Sequence, residues 1–311
     1  MKPVVFIDGR EGTTGLQIYD RLADRQDLSL LLIDEDKRKD PAERRACLNA
    51  ADLVFLCLPD GAAREAVAMI TNPKTRVIDA STAHRTQPGW VYGLPEVGGR
   101  RQKVKEAKRV ANPGCHATGF LTLAAPLVEL GLLPKDYPVT CFSLTGYSGG
   151  GKKMIAEYEG DSKGEGLYSP RVYALSLQHK HVPEMFLVSG LAYPPAFSPV
   201  VDDYYKGMAT SIQLHNRNLI GCPTPEEIRE ALAEYYQGEI LISVCPFGYD
   251  SAMIAGNTLA GKDTLQIIVG GTSGMTLVTA LFDNLGKGAS GAAVQNMNLM
   301  LGFEETSGLS L

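Results

Sequence analysis

Cys115 stands in Asn112-Pro113-Gly114-Cys115-His116-Ala117-Thr118-Gly119, directly behind a Pro-Gly turn and ahead of the helix-patterned run CHATGFLTLAAPLVEL. A thiol at a helix N-terminus lies at the positive end of the helix dipole, which favours the thiolate, the form that attacks carbonyl carbon. Gly114 removes bulk beside the sulfur, and the adjacent backbone amides suit a developing oxyanion. A lone cysteine more commonly fills space in a core; its position at a turn–helix junction argues here for a nucleophile. Cys47, Cys57, Cys141, Cys222 and Cys245 are assigned to packing.

A thiol route needs a proton shuttle. Gln178-His179-Lys180-His181-Val182-Pro183-Glu184 offers two imidazoles two residues apart, on one face if the chain is extended. Pro183 restricts the residue before it to extended geometry, which would steady the chain beside His181. Two such histidines also suit a metal, but no further His, Cys or carboxylate cluster completes a site, and no metal is expected. His84, His116 and His215 read as surface or satisfied core histidines. Arg85 follows the run DASTAH, where its guanidinium suits a phosphate or carboxylate; a structural ion pair is the alternative.

Gly9, Gly12 and Gly15 form a G-x-x-G-x-x-G loop between a strand pattern, PVVFID, and a helix pattern, TGLQIYDRLAD. Glycines there let backbone approach a pyrophosphate, and the helix N-terminus supplies amide donors. Asp34 lies where an acidic residue would hold a ribose 2'-hydroxyl and favour NAD. Lys37, Arg38 and Lys39 follow it and suit the 2'-phosphate of NADP, although such charges are commonly just solvated.

These residues require a framework. LSLLLID, DLVFLCLP, TRVIDAS and KRVANPG continue the strand series, with GAAREAVAMI as a helix, and buried strands separated by helices imply a parallel, doubly wound sheet. Downstream, VTCFSLTG, RVYALSLQ, MFLVSGLAY, MATSIQLH and TLQIIVGG read as strands with few helices between them. TPEEIREALAEYYQG is a helix, with Thr224 as N-cap, Pro225 in its first position and Glu227 closing a capping box. The last run, KGASGAAVQNMNLMLGF, reads as an amphipathic helix packing back on the first domain. The expected architecture is α/β plus α+β: a Rossmann-like nucleotide domain over residues 1–114 with 286–311, and a mixed, largely antiparallel-sheet catalytic and dimerisation domain over 115–285.

Composition sets the bounds. At 311 residues the chain has ample length for a buried core, and its net charge of -5 argues against a broad nucleic-acid footprint. No apolar window reaches the ~20 residues of a transmembrane helix. Scattered cysteines without a Cys-x-x-Cys pair read as reduced thiols of a cytoplasmic protein.

The run ANPGCHATGFLTLAAPL resembles the active-site signature of the N-acetyl-γ-glutamyl-phosphate reductases, enzymes of arginine biosynthesis. The signature has Pro-Gly-Cys, an aromatic residue, a small residue and Thr-Gly; His116 departs from it, since the family usually has Phe or Tyr there. VFIDGREGTTGLQI, DASTAHR, YGLPE, GYSGGGKK, HKHVPE and DNLGKGASGAAVQNMN resemble further segments of the shorter branch of that family, in order. The resemblance implies Cys115 as nucleophile and His181 as general acid/base, with His179 as runner-up or substrate contact. It implies Arg85 as a substrate anion contact and a loop at Gly146, Gly149, Gly150 and Gly151 around substrate and nicotinamide. It also implies NADP(H) held by Gly9, Gly12, Thr13, Thr14, Gly15 and Arg38. Lys287, Gly288 and Gly291 would open the last helix, with Gly288 a cofactor contact and Asn284 and Gln295 near the cofactor end.

The implied reaction is NADPH-dependent reduction of N-acetyl-L-glutamyl 5-phosphate through a cysteine thioester, by a homodimer or homotetramer acting on a small molecule, away from nucleic acid and membranes. Aspartate-semialdehyde dehydrogenases share the plan, but their nucleophile follows an Asn directly. A cofactor-free cysteine acyl hydrolase is disfavoured by the glycine loop, and a dinucleotide sensor by the presence of both Cys115 and His181.

Overall fold

The computed structural model describes residues 2–249 and 252–311. Its contacts divide the chain into two units. The first holds residues 1–95, 99–113 and 289–309, and the second 96–98, 114–288 and 310–311.

In the first unit the chain runs β1 (Val4–Asp8), α1 (Thr13–Leu22), β2 (Ser29–Leu31), α2 (Pro41–Ala50), β3 (Leu53–Leu56), α3 (Asp60–Met69), β4 (Arg76–Asp79), β5 (Val91–Tyr92), α4 (Arg100–Glu106) and β6 (Arg109–Ala111). Among the described residues the strands form one sheet in the order β2-β1-β3-β4-β6-β5, every pairing parallel. Strand side chains alternate between faces, and the core divides accordingly. Val5, Ile7, Leu53, Phe55 and Ile78 join α1 and the C-terminal helix Gly291–Leu301 in one cluster. Phe6, Val54, Leu56 and Val77 join α2 and α3 in another. Helices thus cover both faces, as the continuous apolar runs require.

The charged stretch after β2 holds more structure than its composition suggests. A 3-10 turn, Glu35–Lys37, is followed by α2, which the sequence reading did not anticipate. Its start is specified locally: the Asp40 carboxylate accepts from the Ala42 and Glu43 amides at 2.8 and 3.3 Å, and Pro41 opens the first turn. LSLLLID, expected as a buried strand, is ordered as strand only over Ser29–Leu31, a partly exposed edge beside β1.

The second unit contains α5 (Cys115–Glu129), β7 (Thr140–Gly146), α6 (Gly151–Glu159), β8 (Arg171–Val172), α7 (Val182–Ser189), β9 (Ala196–Asp202), β10 (Met208–His215), α8 (Pro225–Tyr235), β11 (Ile242–Val244), β12 (Leu265–Thr272) and β13 (Met275–Phe282). Among the described residues its strands form one mixed sheet, β11-β12-β13-β10-β7-β9-β8, in which only β7–β9 and β11–β12 run parallel. Helices α5 and α8 pack on one face. On the other, Phe142, Gln213, Met275 and Leu277 are exposed. The capping box of α8 forms as its sequence specifies, the Thr224 hydroxyl accepting from the Glu227 amide and the Glu227 carboxylate from the Thr224 amide.

Three expectations need correction. MFLVSGLAY contributes helix α7, not a strand: Pro183 and Glu184 occupy its first turn, and Gly190 ends it in the left-handed conformation at φ +79°. These start and stop signals outweigh an apolar run with no strict alternation. RVYALSLQ is strand only over Arg171–Val172, because Ala174 and Leu177 take positive φ and leave the extended region. The C-terminal helix, α9 (Gly291–Leu301), is not amphipathic: Gly291 to Met300 are all buried, as for a helix enclosed on every side. It does join the first unit. Among the described residues no helix is long and apolar enough to cross a membrane.

Candidate functional site

Cys115 is the first residue of α5. Gly114 caps the helix in an extended conformation, φ -78° and ψ 147°, and its carbonyl accepts the Thr118 amide at 2.8 Å. The sulfur-bearing residue is therefore set by an extended turn residue and a helix that starts at once. Cys115 is half-buried. Behind it, a π-helical turn, Gly286–Ser290, brings Gly288 so close that a Cβ there would stand 2.9 Å from the Cβ of Cys115. Only glycine fits that approach. Gly288, expected as a cofactor residue, thus packs against Cys115. Lys287 beside it is buried and pairs with the buried Glu96 at 2.6 Å.

The Gly114 amide is engaged. It donates to the Glu184 carboxylate at 3.1 Å, a buried group on the first turn of α7. The sequence suggests the amides around Cys115 for an oxyanion; that of Gly114 is instead bound to Glu184.

Three histidines converge in the same unit. The rings of His179 and His181 lie 4.7 Å apart at 82°, and the ring of His116 lies 5.5 Å from the first and 5.6 Å from the second. His181 is buried at the N-cap of α7 with φ -88° and ψ -14°, so the chain there is not extended as expected: α7 begins at Val182 and overrides the preference that Pro183 imposes. The His181 amide donates to His179 Nδ1 at 3.2 Å, which places the proton of neutral His179 on Nε2.

His116 is a satisfied core histidine, one of the readings given to it. Its Nδ1 shares a hydrogen bond with Ser143 Oγ and its Nε2 with Tyr173 Oη, each 2.7 Å. Ser143 Oγ continues to Thr210 Oγ1 at 2.7 Å. Burial above all, then the neighbouring charges of His179 and Lys180, lower the His116 pKa to about 3. Burial, and secondarily a charge on Cys115, raise that of the Tyr173 phenol.

In the first unit the loop Gly9–Gly15 links β1 to α1. Gly9 has φ +88°, and a Cβ on it would collide with the Cys57 carbonyl; a Cβ on Gly15 would collide with the Gly9 carbonyl. Gly12 caps α1 without a side-chain acceptor, and Thr13 and Thr14 open the helix, whose first turn carries no acidic residue. A cavity of about 450 Å³ adjoins the loop, lined among others by Gly9, Leu31, Arg38, Lys39 and Arg44. Arg44 pairs with Asp8 at 2.7 Å and offsets the carboxylate at the end of β1. Lys37 is turned to Glu43 at 3.0 Å instead. A bare-backbone helix start beside a basic cavity fits a dinucleotide's phosphates.

Arg85 donates from Nε to the Asn112 carbonyl at 3.0 Å and from Nη2 to the Ala80 carbonyl at 3.2 Å. Gln295 is buried and donates to Glu305 at 2.7 Å. In the second unit Gly149 is exposed in the 3-10 turn Tyr147–Gly150, and Asn284 accepts from the Gly207 amide and donates to Ser148. Among the described residues no group of three or more His, Cys, Asp or Glu is placed to hold a metal. The sequence reading missed Tyr173, Ser143 and Glu184. Glu184 lay within a motif already noted; Tyr173 and Ser143 sat in stretches read as plain strand and carried no spacing signal.

Two family models match the chain, one described as the NAD binding domain of semialdehyde dehydrogenases over residues 35–107, the other as their dimerisation domain over residues 115–284. N-acetyl-gamma-glutamyl-phosphate reductase 2 of Nostoc sp. is 47% identical over 320 residues, covering 99% of each chain. N-acetyl-gamma-glutamyl-phosphate reductase of Sinorhizobium medicae is 49% identical over 308 residues, covering 97% of this chain and 99% of its own. Among solved structures, aspartate semialdehyde dehydrogenase II of Vibrio cholerae superposes with a TM-score of 0.75 at 15% identity, covering 97% of this chain and 98% of that one, a likeness of fold.

Proposed function

The chain belongs to the N-acetyl-γ-glutamyl-phosphate reductase family, and from that premise we propose that it reduces N-acetyl-L-glutamyl 5-phosphate to N-acetyl-L-glutamate 5-semialdehyde with NADPH, in arginine biosynthesis. The observation that carries the reading is Cys115 as first residue of α5, with Gly288 leaving no side chain behind it and two imidazoles, His179 and His181, in the same unit.

The Cys115 thiolate attacks the acyl carbon, the carbon–oxygen bond to phosphate breaks, and a thioester remains on the sulfur. Gly9, Gly12, Thr13, Thr14, Gly15 and Arg38 would hold NADPH, which would supply the hydride that reduces the thioester carbon. His181 gives a proton to the oxygen of the thiohemiacetal and takes it back as the carbon–sulfur bond breaks, which releases the aldehyde and restores the thiolate. His179 and Gly149 contact the substrate. Arg85 binds its anionic end, the guanidinium oriented by the carbonyls of Ala80 and Asn112. Gly288 and Gln295 stand at the cofactor end, as the family resemblance implies.

The open face of the second sheet, with Phe142, Met275 and Leu277 exposed, supports a homo-oligomer built on the unit that matches a dimerisation domain. Six scattered cysteines without a Cys-x-x-Cys pair support a cytoplasmic location. The test is phosphate-dependent reduction of NADP⁺ by N-acetylglutamate semialdehyde, with aspartate semialdehyde as the competing substrate. Turnover without phosphate, or preference for aspartate semialdehyde, refutes the proposal.

A further inference from the structure

We propose that His116 is a positioning residue for the reaction at Cys115, acting through the Tyr173 hydroxyl; the proposal rests on the reductase reading above.

Four polar side chains form one file: Thr210 on β10, Ser143 on β7, His116 on α5 and Tyr173 just after β8, with successive contacts of 2.7 Å. Thr210, Ser143 and His116 are fully or almost fully buried. Burying such groups is unfavourable unless they bond one another, and an apolar ring would fill the same space without that requirement. The file therefore does something that packing alone does not need. Its inner end is closed within the sheet. Its outer end is Tyr173, whose ring meets that of His179 edge-on at 5.7 Å in the unit that holds Cys115.

A neutral imidazole has one donor and one acceptor nitrogen. Ser143 and Tyr173 must therefore take opposite roles toward His116, so the ring fixes the place of the Tyr173 hydroxyl and couples its hydrogen-bond sense to that of Ser143. The backbone gives that hydroxyl little other support. Strand β8 ends at Val172, Ala174 and Leu177 are in left-handed conformations, and Leu175 and Leu177 are exposed. Tyr173 is held by its amide on the Pro199 carbonyl at 3.1 Å and by His116. The same segment leads to His179, whose ring meets those of both His116 and Tyr173 edge-on, at 5.5 and 5.7 Å. His116 thus anchors from within the segment that carries Tyr173 and the histidine pair.

The test compares His116→Phe, His116→Gln, Tyr173→Phe and the double variant His116→Phe/Tyr173→Phe. Two readouts are taken: steady-state kinetics, and the rate at which iodoacetamide alkylates Cys115, which needs no substrate. The expected result is that His116→Phe and Tyr173→Phe each lower kcat about 10–100-fold, as small misplacements near a reacting group do, with KM changed little. The double variant should lose no more than the worse single variant. Glutamine, which keeps a donor and an acceptor, should recover most of the loss. Alkylation rates should shift in the same direction and by the same factor in both single variants, and no further in the double. Wild-type kcat in His116→Phe, multiplying effects in the double variant, or no recovery with glutamine overturns the proposal. Should His116→Phe fail to fold, His116→Gln and Ser143→Ala carry the test. Ser143→Ala should lower kcat with KM held, and an unchanged kcat counts against the file. If the wild type lacks reductase activity, the reductase reading has failed on its own, and the alkylation pattern alone upholds or overturns the link from His116 through Tyr173 to Cys115.

Discussion

The Glu184 carboxylate, on the first turn of α7, accepts the Gly114 amide at 3.1 Å and so fastens the turn in front of Cys115 to the helix that His181 caps. One buried hydrogen bond thus ties the residue before Cys115 to the helix that His181 caps. Glu184→Ala strands the Gly114 donor and should cost about 1–3 kcal/mol of stability. Glu184→Gln keeps an acceptor oxygen and should cost distinctly less. Denaturant titrations of both variants check this; equal losses would mean that the bond is not what holds the turn.

Cys115→Ser should retain NADP(H) binding and lose turnover to below about a hundredth of the wild type, because a serine hydroxyl is scarcely ionised where a thiol at a helix start is. Coenzyme titration by fluorescence and a turnover assay separate the two effects. Residual activity above that level excludes a covalent thioester.

His181→Asn should lower the rate by the ~10²–10⁴-fold typical of a lost general acid/base, and His179→Asn by less. The buried place of His181 at the α7 N-cap supports this order, in place of the extended geometry expected from Pro183. Single-turnover hydride transfer with pH profiles decides. A larger loss in His179→Asn would exchange the two roles.

Arg38 lines the cavity beside the glycine loop, whereas Lys37 is committed to Glu43. Arg38→Ala should therefore weaken NADPH binding by about tenfold, the scale of one charge-assisted contact, and leave NADH binding nearly unchanged. Lys37→Ala should affect neither. Dissociation constants for both coenzymes test the assignment, and a parallel loss of NADH affinity would count against a 2'-phosphate contact.

His116 makes the fold sensitive to acid. Its pKa is about 3 in the folded protein, lowered first by burial and then by His179 and Lys180, against 6.5 for an ordinary histidine. Between those values the unfolded chain binds the extra proton and the folded chain does not, so stability falls as the pH falls through that window. At about 1.4 kcal/mol per pH unit at most, the loss from pH 6 to 4.5 is about 2 kcal/mol from this residue. His116→Phe should flatten the stability curve by that amount, whatever its offset at neutral pH. An unchanged slope between pH 6 and 4.5 would show that His116 does not carry the effect.

Signals confined to a few neighbouring residues were legible in the sequence. The continuous apolar runs of β1, β3 and β4 put successive side chains on opposite faces, both of them buried, and the two cores divide along that alternation. Pro-Gly before Cys115, and Thr224-Pro225 with Glu227 before α8, specify helix starts through local sterics and local hydrogen bonds. Tertiary structure decided what no local pattern carries. MFLVSGLAY suits a strand or a buried helix, and it became α7 through its end signals and its packing against α5. His116 was one histidine among five until folding brought Ser143, 27 residues on, and Tyr173, 57 residues on, to its two ring nitrogens. Gly288 shows the same thing by exclusion, since only the folded chain puts a backbone where a side chain would meet Cys115. A residue's type and neighbours determine its backbone preference and the chemistry open to it. Its partners at long sequence separation, which fix protonation, direction and reach, exist only once the chain has closed on itself.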